Sequence, residues 1–147
     1  GPAGLDDFVK THGDAVTRFD RTEPELNQIA AGDERDTSTP AAMTQTLQRF
    51  LLTDSTLNDA SRQRLIGWLQ QATTGVHRLR AGLPEGWQIG HKTGTSDQGA
   101  ANDVAILWPP SGAPILVTCF VLAPQVSDTV RDAAHAAVAR TIAETWG

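Results

Sequence analysis

An α+β fold, with helices segregated from an antiparallel sheet, is predicted by three features of this 147-residue chain. Helical periodicity is confined to residues 1–85 and to the C-terminus. Strand-like apolar runs are confined to 86–122. The connections between those runs are too short for crossover units. The length fits one domain, residues 1–147, with a helical part over 1–85 and strands plus a final helix over 86–147.

The first helix starts at Pro2, a residue suited to a first turn, and sets Leu5, Phe8 and Val9 on one face before Gly13 closes it. Residues 14–40 are polar and without a long period, and loops beyond about 12 to 15 residues are usually functional or disordered. Thr39 then reads as an N-cap with Pro40 behind it, followed by Met43, Leu47, Phe50 and Leu51 at helical spacing. A further helix after Asn58 or Asp59 turns Leu65, Ile66, Leu69 and Ala72 inward, towards the preceding helix, and stops before Gly75. Strands are predicted over 87–95, 103–108 and 114–122, with turns at 96–99 and 109–112. Ser127 caps the last helix, Asp128 and Asp132 sit near its positive end, and Val130, Ala134, Val138, Ile142 and Trp146 recur every four residues to pack on the sheet.

Composition narrows the function. With 39% hydrophobic and 20% charged residues, the chain has the content of an ordinary globular protein. Its net charge of −5, with scattered basic residues, would repel a phosphate backbone, so no nucleic-acid partner is expected. The longest apolar stretch, 113–124, contains proline and is too short to span a bilayer, so no membrane partner is expected either. One cysteine and four scattered histidines give no metal-ligand spacing, and neither a metal nor an organic cofactor is implied. Cys119, inside the run 115–122, reads as a buried small hydrophobe.

Two clusters could carry chemistry. In the long loop, Thr22 and Glu25 have capping-box spacing, and Glu23 and Asn27, four apart, would share the face of a short helical turn. A carboxylate beside an amide can hold and deprotonate a water. From spacing alone the simpler reading is the stronger one: Glu23 complements the helix dipole and Asn27 ends the turn. Arg21 and Asp36 bound 16 residues, and a bidentate pair between them would close the loop if it is buried. The second cluster is His91-Lys92-Thr93-Gly94-Thr95 at a strand end, where a lysine, two hydroxyls and a small glycine could take an anion laid along the strand. His91 would point to the opposite face from Lys92, and Trp87 would pack.

In order and spacing, Glu23-Pro24-Glu25-Leu26-Asn27, Gly32-Asp33-Glu34-Arg35-Asp36-Thr37, Thr39-Pro40-Ala41-Ala42-Met43, Arg80-Ala81-Gly82-Leu83-Pro84, Gly86-Trp87 and Lys92-Thr93-Gly94-Thr95 resemble the class A serine β-lactamases over essentially the whole chain. That family also uses a nucleophilic serine in Ser-x-x-Lys and a later Ser-Asp-Asn. Neither motif is present. The residues three before Lys10 and Lys92 are Asp7 and Ile89, while Ser96-Asp97 continues with Gln98 and Ser127-Asp128 with Thr129. The resemblance therefore implies the C-terminal half of such an enzyme, contributing three strands and the last helix. The acylating serine would lie on an N-terminal half that is its partner. No signal-peptide pattern opens the chain, and its abrupt helical start reads as a break.

The resemblance further implies hydrolysis of a β-lactam substrate and a periplasmic or secreted location. Glu23 would be the general base for deacylation and Asn27 would help to hold the water, on an Ω-loop over 21–36 clamped by Arg21 and Asp36, with a cis Glu23-Pro24 bond. Lys92, Thr93, Gly94 and Thr95 would bind the substrate carboxylate, the Thr95 N–H completing an oxyanion hole. Many members place a carboxylate-binding arginine on the next strand, which here reads Ala100-Ala101-Asn102-Asp103-Val104, and Arg78 stands where others carry a substitute. Its simpler role would be a surface charge. Ser96 occupies the place of a disulfide cysteine in some carbapenemases, which speaks against that specialisation. A related penicillin-recognising D,D-peptidase is disfavoured by the Glu23 to Asn27 segment, and the isolated chain would be a noncatalytic fragment.

Overall fold

The computed structural model describes residues 1–30 and 32–147; Ala31, within the long loop, lies outside them. Helices α1 (Pro2–Thr11), α2 (Pro40–Leu52), α3 (Asp59–Gln70) and the short α4 (Leu79–Gly82) precede strands β1 (Gln88–Thr95), β2 (Ala100–Trp108) and β3 (Ile115–Leu122), and α5 (Asp128–Trp146) ends the chain. The strands form one antiparallel sheet in the order β1-β2-β3. The α+β class stands.

Two caps form as their residue types require. The Thr39 hydroxyl accepts from the Ala42 N–H at 3.1 Å and the Asn58 amide oxygen from the Ser61 N–H at 2.9 Å. Ser127 heads α5 without a side-chain cap; its carbonyl receives the N–H groups of Val130 and Arg131 instead. Strand β2 begins at Ala100, three residues before the predicted start, because Ala100, Ala101 and Asn102 pair with Thr95, Gly94 and the end of β3.

Period-two alternation divides the sheet. His91 and Ile89 of β1, Asp103, Ala105 and Leu107 of β2, and Val117 and Cys119 of β3 share one face. The apolar members join Leu79 of α4 and Ala139 of α5 in the core, with Trp87 and Ile142 packed against it. The opposite face, carrying Gly90, Lys92, Val104 and Thr118, receives α3 and α2. The chief partner of α3 is therefore β1 rather than α2. Gly90 favours this contact: an added Cβ would lie 3.1 Å from the Leu69 Cβ, a tight approach that would make the helix give by a few tenths of an ångström.

The face of α5 differs from expectation. Arg131, His135, Ala136 and Ala139 are buried, whereas Val130, Val138 and Trp146 are exposed. A strict four-residue spacing advances about 40° per step around a helix, so the predicted stripe winds away from a straight contact. The buried set instead follows mixed spacings of four, one and three. Cys119 is half-buried rather than buried. Burial and the neighbouring Asp103 raise its pKa, so it remains a thiol.

The α4–α5 contact leaves no room for a methyl group. A Cβ on Gly82 would fall 2.0 Å from the Ala136 carbonyl oxygen and 2.8 Å from the Ala139 Cβ. Gly82→Ala is expected to cost about 1 to 3 kcal/mol through forced separation of the two helices. Thermal unfolding measures this, and an unchanged midpoint would argue against the close packing.

Candidate active site

The long loop is anchored before it reaches any reactive group. Buried Asp14, just after α1, accepts from the Val16 and Thr17 N–H groups at 3.1 and 2.8 Å, from the Thr17 hydroxyl at 2.6 Å, and from the Thr46 hydroxyl of α2 at 2.5 Å. Burial pushes its pKa up, but the Thr17 and Thr46 bonds outweigh that and hold it below the usual carboxylate range.

At the neck of the loop, Arg21 Nε donates to Asp36 Oδ2 at 2.5 Å, with both side chains largely shielded from solvent. The pair is not bidentate, as the sequence reading had it. Asp36 uses its other oxygen for the backbone N–H groups of Asp20 and Arg21, at 2.7 and 2.9 Å, while Arg21 Nη2 reaches the Gln28 carbonyl at 3.2 Å. The guanidinium thus ties the neck to the far side of the loop. Desolvation works against the Asp36 charge, yet the Arg21 side chain and the two N–H donors hold its pKa below the ordinary value.

The span so closed carries a cis Glu23-Pro24 bond and a three-residue 3₁₀ turn, Glu25–Asn27. Thr22 makes no side-chain cap. Pro24 has no N–H, and the turn closes through backbone bonds, Leu26 N–H to the Thr22 carbonyl, Asn27 N–H to the Pro24 carbonyl and Gln28 N–H to the Glu25 carbonyl. Glu23 and Asn27 do meet: the Asn27 amide donates to a Glu23 carboxylate oxygen, and both are exposed.

Across from them, Lys92 is exposed at the end of β1 with Nζ on the Thr93 carbonyl, 2.5 Å away. Because β1 is an edge strand, residues 92–95 can present both backbone and side chains to one cleft. A cavity of about 630 Å³ is lined by Asn27 on the loop side and by Lys92, Thr93, Gly94 and Thr95 on the strand side, with Met43, Val104 and Phe120 as its apolar floor. Glu23 is outside that lining and is joined to it through Asn27. The Thr93 hydroxyl is engaged with Thr74 at 2.7 Å.

Arg78 is a buried residue, contrary to the simpler reading of it as a surface charge. Its Nε donates to Asp132 of α5 at 2.8 Å, its Nη1 to the carbonyls of Asn102 and Gly94 at 2.9 and 3.1 Å, and its Nη2 to the Thr95 hydroxyl at 2.8 Å. With its oxygen taken as acceptor, the Thr95 hydroxyl has its proton free to donate. The sequence reading missed Asp132, whose only signal was its place near the start of a helix. It also missed the fully buried contact of His91 Nδ1 with Asp103 at 2.9 Å, although His91 does point away from Lys92 as alternation requires.

An α+β fold with a clamped acidic loop facing a Lys-Thr-Gly strand across one cleft defines a serine β-lactamase type of architecture. Comparison with known proteins agrees, and the chain belongs to the Beta-lactamase enzyme family, whose match covers residues 1–146. It is 44% identical over 144 residues to "Beta-lactamase OXY-2" of Klebsiella oxytoca, covering 98% of this chain and 49% of that protein. It is 45% identical over 148 residues to "Carbapenem-hydrolyzing beta-lactamase KPC" of Klebsiella oxytoca, covering 100% of this chain and 50% of that protein. Among solved structures it is similar to an ancestral class A β-lactamase, with a TM-score of 0.95 and 52% identity over 99% of this chain and 56% of the other. A β-lactamase from Xanthomonas campestris matches with a TM-score of 0.94 and 46% identity, covering 99% and 55%. The chain thus spans about half the length of the curated relatives it matches.

Proposed function

We propose that this chain forms the water-activating and carboxylate-binding side of a class A β-lactamase. In this reading a β-lactam amide is hydrolysed through an ester to a serine on a polypeptide portion that these residues do not include. The observation that carries the reading is the Glu23–Asn27 hydrogen bond on a loop locked by Arg21 and Asp36, facing Lys92 to Thr95 across a single cleft.

In deacylation, Glu23 takes a proton from a water held with Asn27 as the water oxygen attacks the ester carbonyl. The negative charge that develops on the carbonyl oxygen is met by the Thr95 N–H. Collapse breaks the bond to the serine oxygen, and Glu23 returns the proton to that oxygen, leaving the ring-opened acid and free serine. Lys92 and the hydroxyls of Thr93 and Thr95 hold the substrate carboxylate; Gly94 leaves the strand open to the ligand. Arg78 supports Thr95 from below. Its guanidinium, with five fixed donors, suits the four acceptors it meets. A periplasmic or secreted location accompanies this reading, and among the described residues no helix is long and apolar enough to cross a membrane.

Nitrocefin hydrolysis tests the proposal. Turnover is expected when this chain is joined to, or combined with, a portion bearing Ser-x-x-Lys and Ser-Asp-Asn, and none from this chain by itself. Turnover by the isolated chain would overturn the division of roles.

A further inference from the structure

The sheet face away from the cleft carries a polar pair that the proposed chemistry does not use. His91 and Asp103 have no exposed side-chain surface, and lie diagonally across β1 and β2 directly beneath the Lys92 to Thr95 segment. Fully buried polar groups are costly unless they are satisfied, and this pair meets that need partly within itself and partly through a backbone donor. The contacts show what it reaches. His91 Nδ1 lies 2.9 and 3.1 Å from the two Asp103 oxygens, and the ring's Nε2 has no partner among the described residues. The imidazole is therefore oriented by Asp103 alone. The second Asp103 oxygen accepts from the Leu79 N–H at 3.3 Å.

Leu79 is the first residue of α4, and Arg78 immediately precedes it, its own N–H bonded to the Gly75 carbonyl at 3.0 Å. Arg78 is thus held at both ends. Asp103 fixes the backbone beside it, and Asp132 fixes its guanidinium. Between those anchors the side chain extends under the strand to the Thr95 hydroxyl.

We propose that Asp103, oriented by His91, is a positioning residue for the substrate-carboxylate site, acting through the backbone of Arg78 on the Thr95 hydroxyl. The path has three bonded steps, His91 to Asp103, Asp103 to Leu79 N–H, and Arg78 to Thr95, and no member of it before Thr95 touches the cleft. Loss of the Asp103 acceptor frees the chain at Leu79. A displacement of about 1 Å at a positioning group is enough to cost a site much of its function. The lost function would be recognition of the ring carboxylate, not water activation, because Glu23 and Asn27 stand on a separate, independently clamped loop.

This inference rests on the hydrolase reading, and its test separates the two. In the enzyme made by joining this chain to its nucleophile-bearing portion, a β-lactam carboxylic acid is compared with its methyl ester. Asp103→Ala is expected to raise KM for the acid by about tenfold, with kcat within about threefold of the parent and kcat/KM for the ester unchanged. In an Arg78→Ala background the same substitution should add nothing, since the two act in series. Asp103→Asn, whose amide oxygen still accepts from Leu79 while a change of tautomer lets His91 accept from its NH₂, should recover most of the acid preference.

Equal losses for acid and ester, or multiplicative effects of Asp103→Ala and Arg78→Ala, would show a merely structural role and overturn the proposal. Where Asp103→Ala does not yield folded protein, His91→Ala takes its place, with a smaller loss confined to the acid as the expected result and equal acid and ester losses as the contrary one. Absence of all turnover in the unsubstituted joined enzyme would remove the hydrolase reading, and this inference with it.

Discussion

Glu23→Gln, in the chain joined to its nucleophile-bearing portion, is expected to leave an enzyme that opens one β-lactam ring and stops. Glutamine keeps the size of the side chain and an oxygen to accept the Asn27 amide hydrogen bond, so the loop has no reason to move. It cannot take a proton from water. General-base catalysis contributes roughly 10²- to 10⁴-fold, and deacylation should slow by an amount in that range. The acylating serine and its lysine lie outside this chain, and the substitution leaves Lys92 and Thr95 in place, so an ester should build up on the serine. With nitrocefin, whose ring opening expels no leaving group, intact mass spectrometry would then show a persistent gain of one whole substrate mass. A pre-steady-state burst should equal the enzyme concentration. Steady turnover at the parent rate without an adduct would remove Glu23 as the base.

That Glu23 could be proposed at all shows which parts of the site were legible in the residues. Arg21 and Asp36 bound a loop of a length whose ends can meet, and Glu23 and Asn27 are four residues apart, so spacing alone brings them within reach on one turn. The same holds for the Thr39 and Asn58 caps. Lys92 to Thr95 is one continuous strand segment, and alternation alone assigned His91 to its far face.

What could not be read depends on partners distant along the chain. Asp132 lies 54 residues from Arg78, and nothing local distinguishes it from any acid that complements a helix dipole. Asp103 lies 12 residues from His91, and only the β1–β2 register makes them neighbours. The α5 stripe failed for a different reason: an apolar repeat at four residues is compatible with burial but does not choose the buried face. In α5 that choice is made by Gly82, which admits Ala136 and Ala139 to close contact and so fixes the rotation of the helix. The bidentate form expected for Arg21 and Asp36 failed because backbone N–H groups compete for the same carboxylate.

That competition makes Asp36 the residue on which the loop depends most. Asp36→Asn removes the ion pair with Arg21 and weakens two backbone hydrogen bonds to a charged acceptor, each bond of that kind being worth about 1.5 to 3 kcal/mol. Amide exchange over residues 20–30 is expected to accelerate by about ten- to a hundredfold, with α2 unaffected, since Asp14 and Thr46 anchor the loop base separately. With the Glu23–Asn27 turn no longer held, deacylation should slow and acyl-enzyme should build up, though less than in Glu23→Gln.

The acid response gives an independent check. The folded-state pKa of Asp36 is lowered, so its contribution is fully present above the unfolded value near 4 and is lost as pH falls through the lowered one. Asp14, Asp20 and Asp33 shift in the same direction, so the parent loop should loosen progressively below about pH 4. In Asp36→Asn the substituted amide has no charge to lose, and the variant's loop should exchange fast at neutral pH and gain less on acidification than the parent. Parent-like exchange over 20–30 at pH 7 in Asp36→Asn would mean that the clamp does not hold the loop, and that Glu23 is positioned by something other than the Arg21–Asp36 pair.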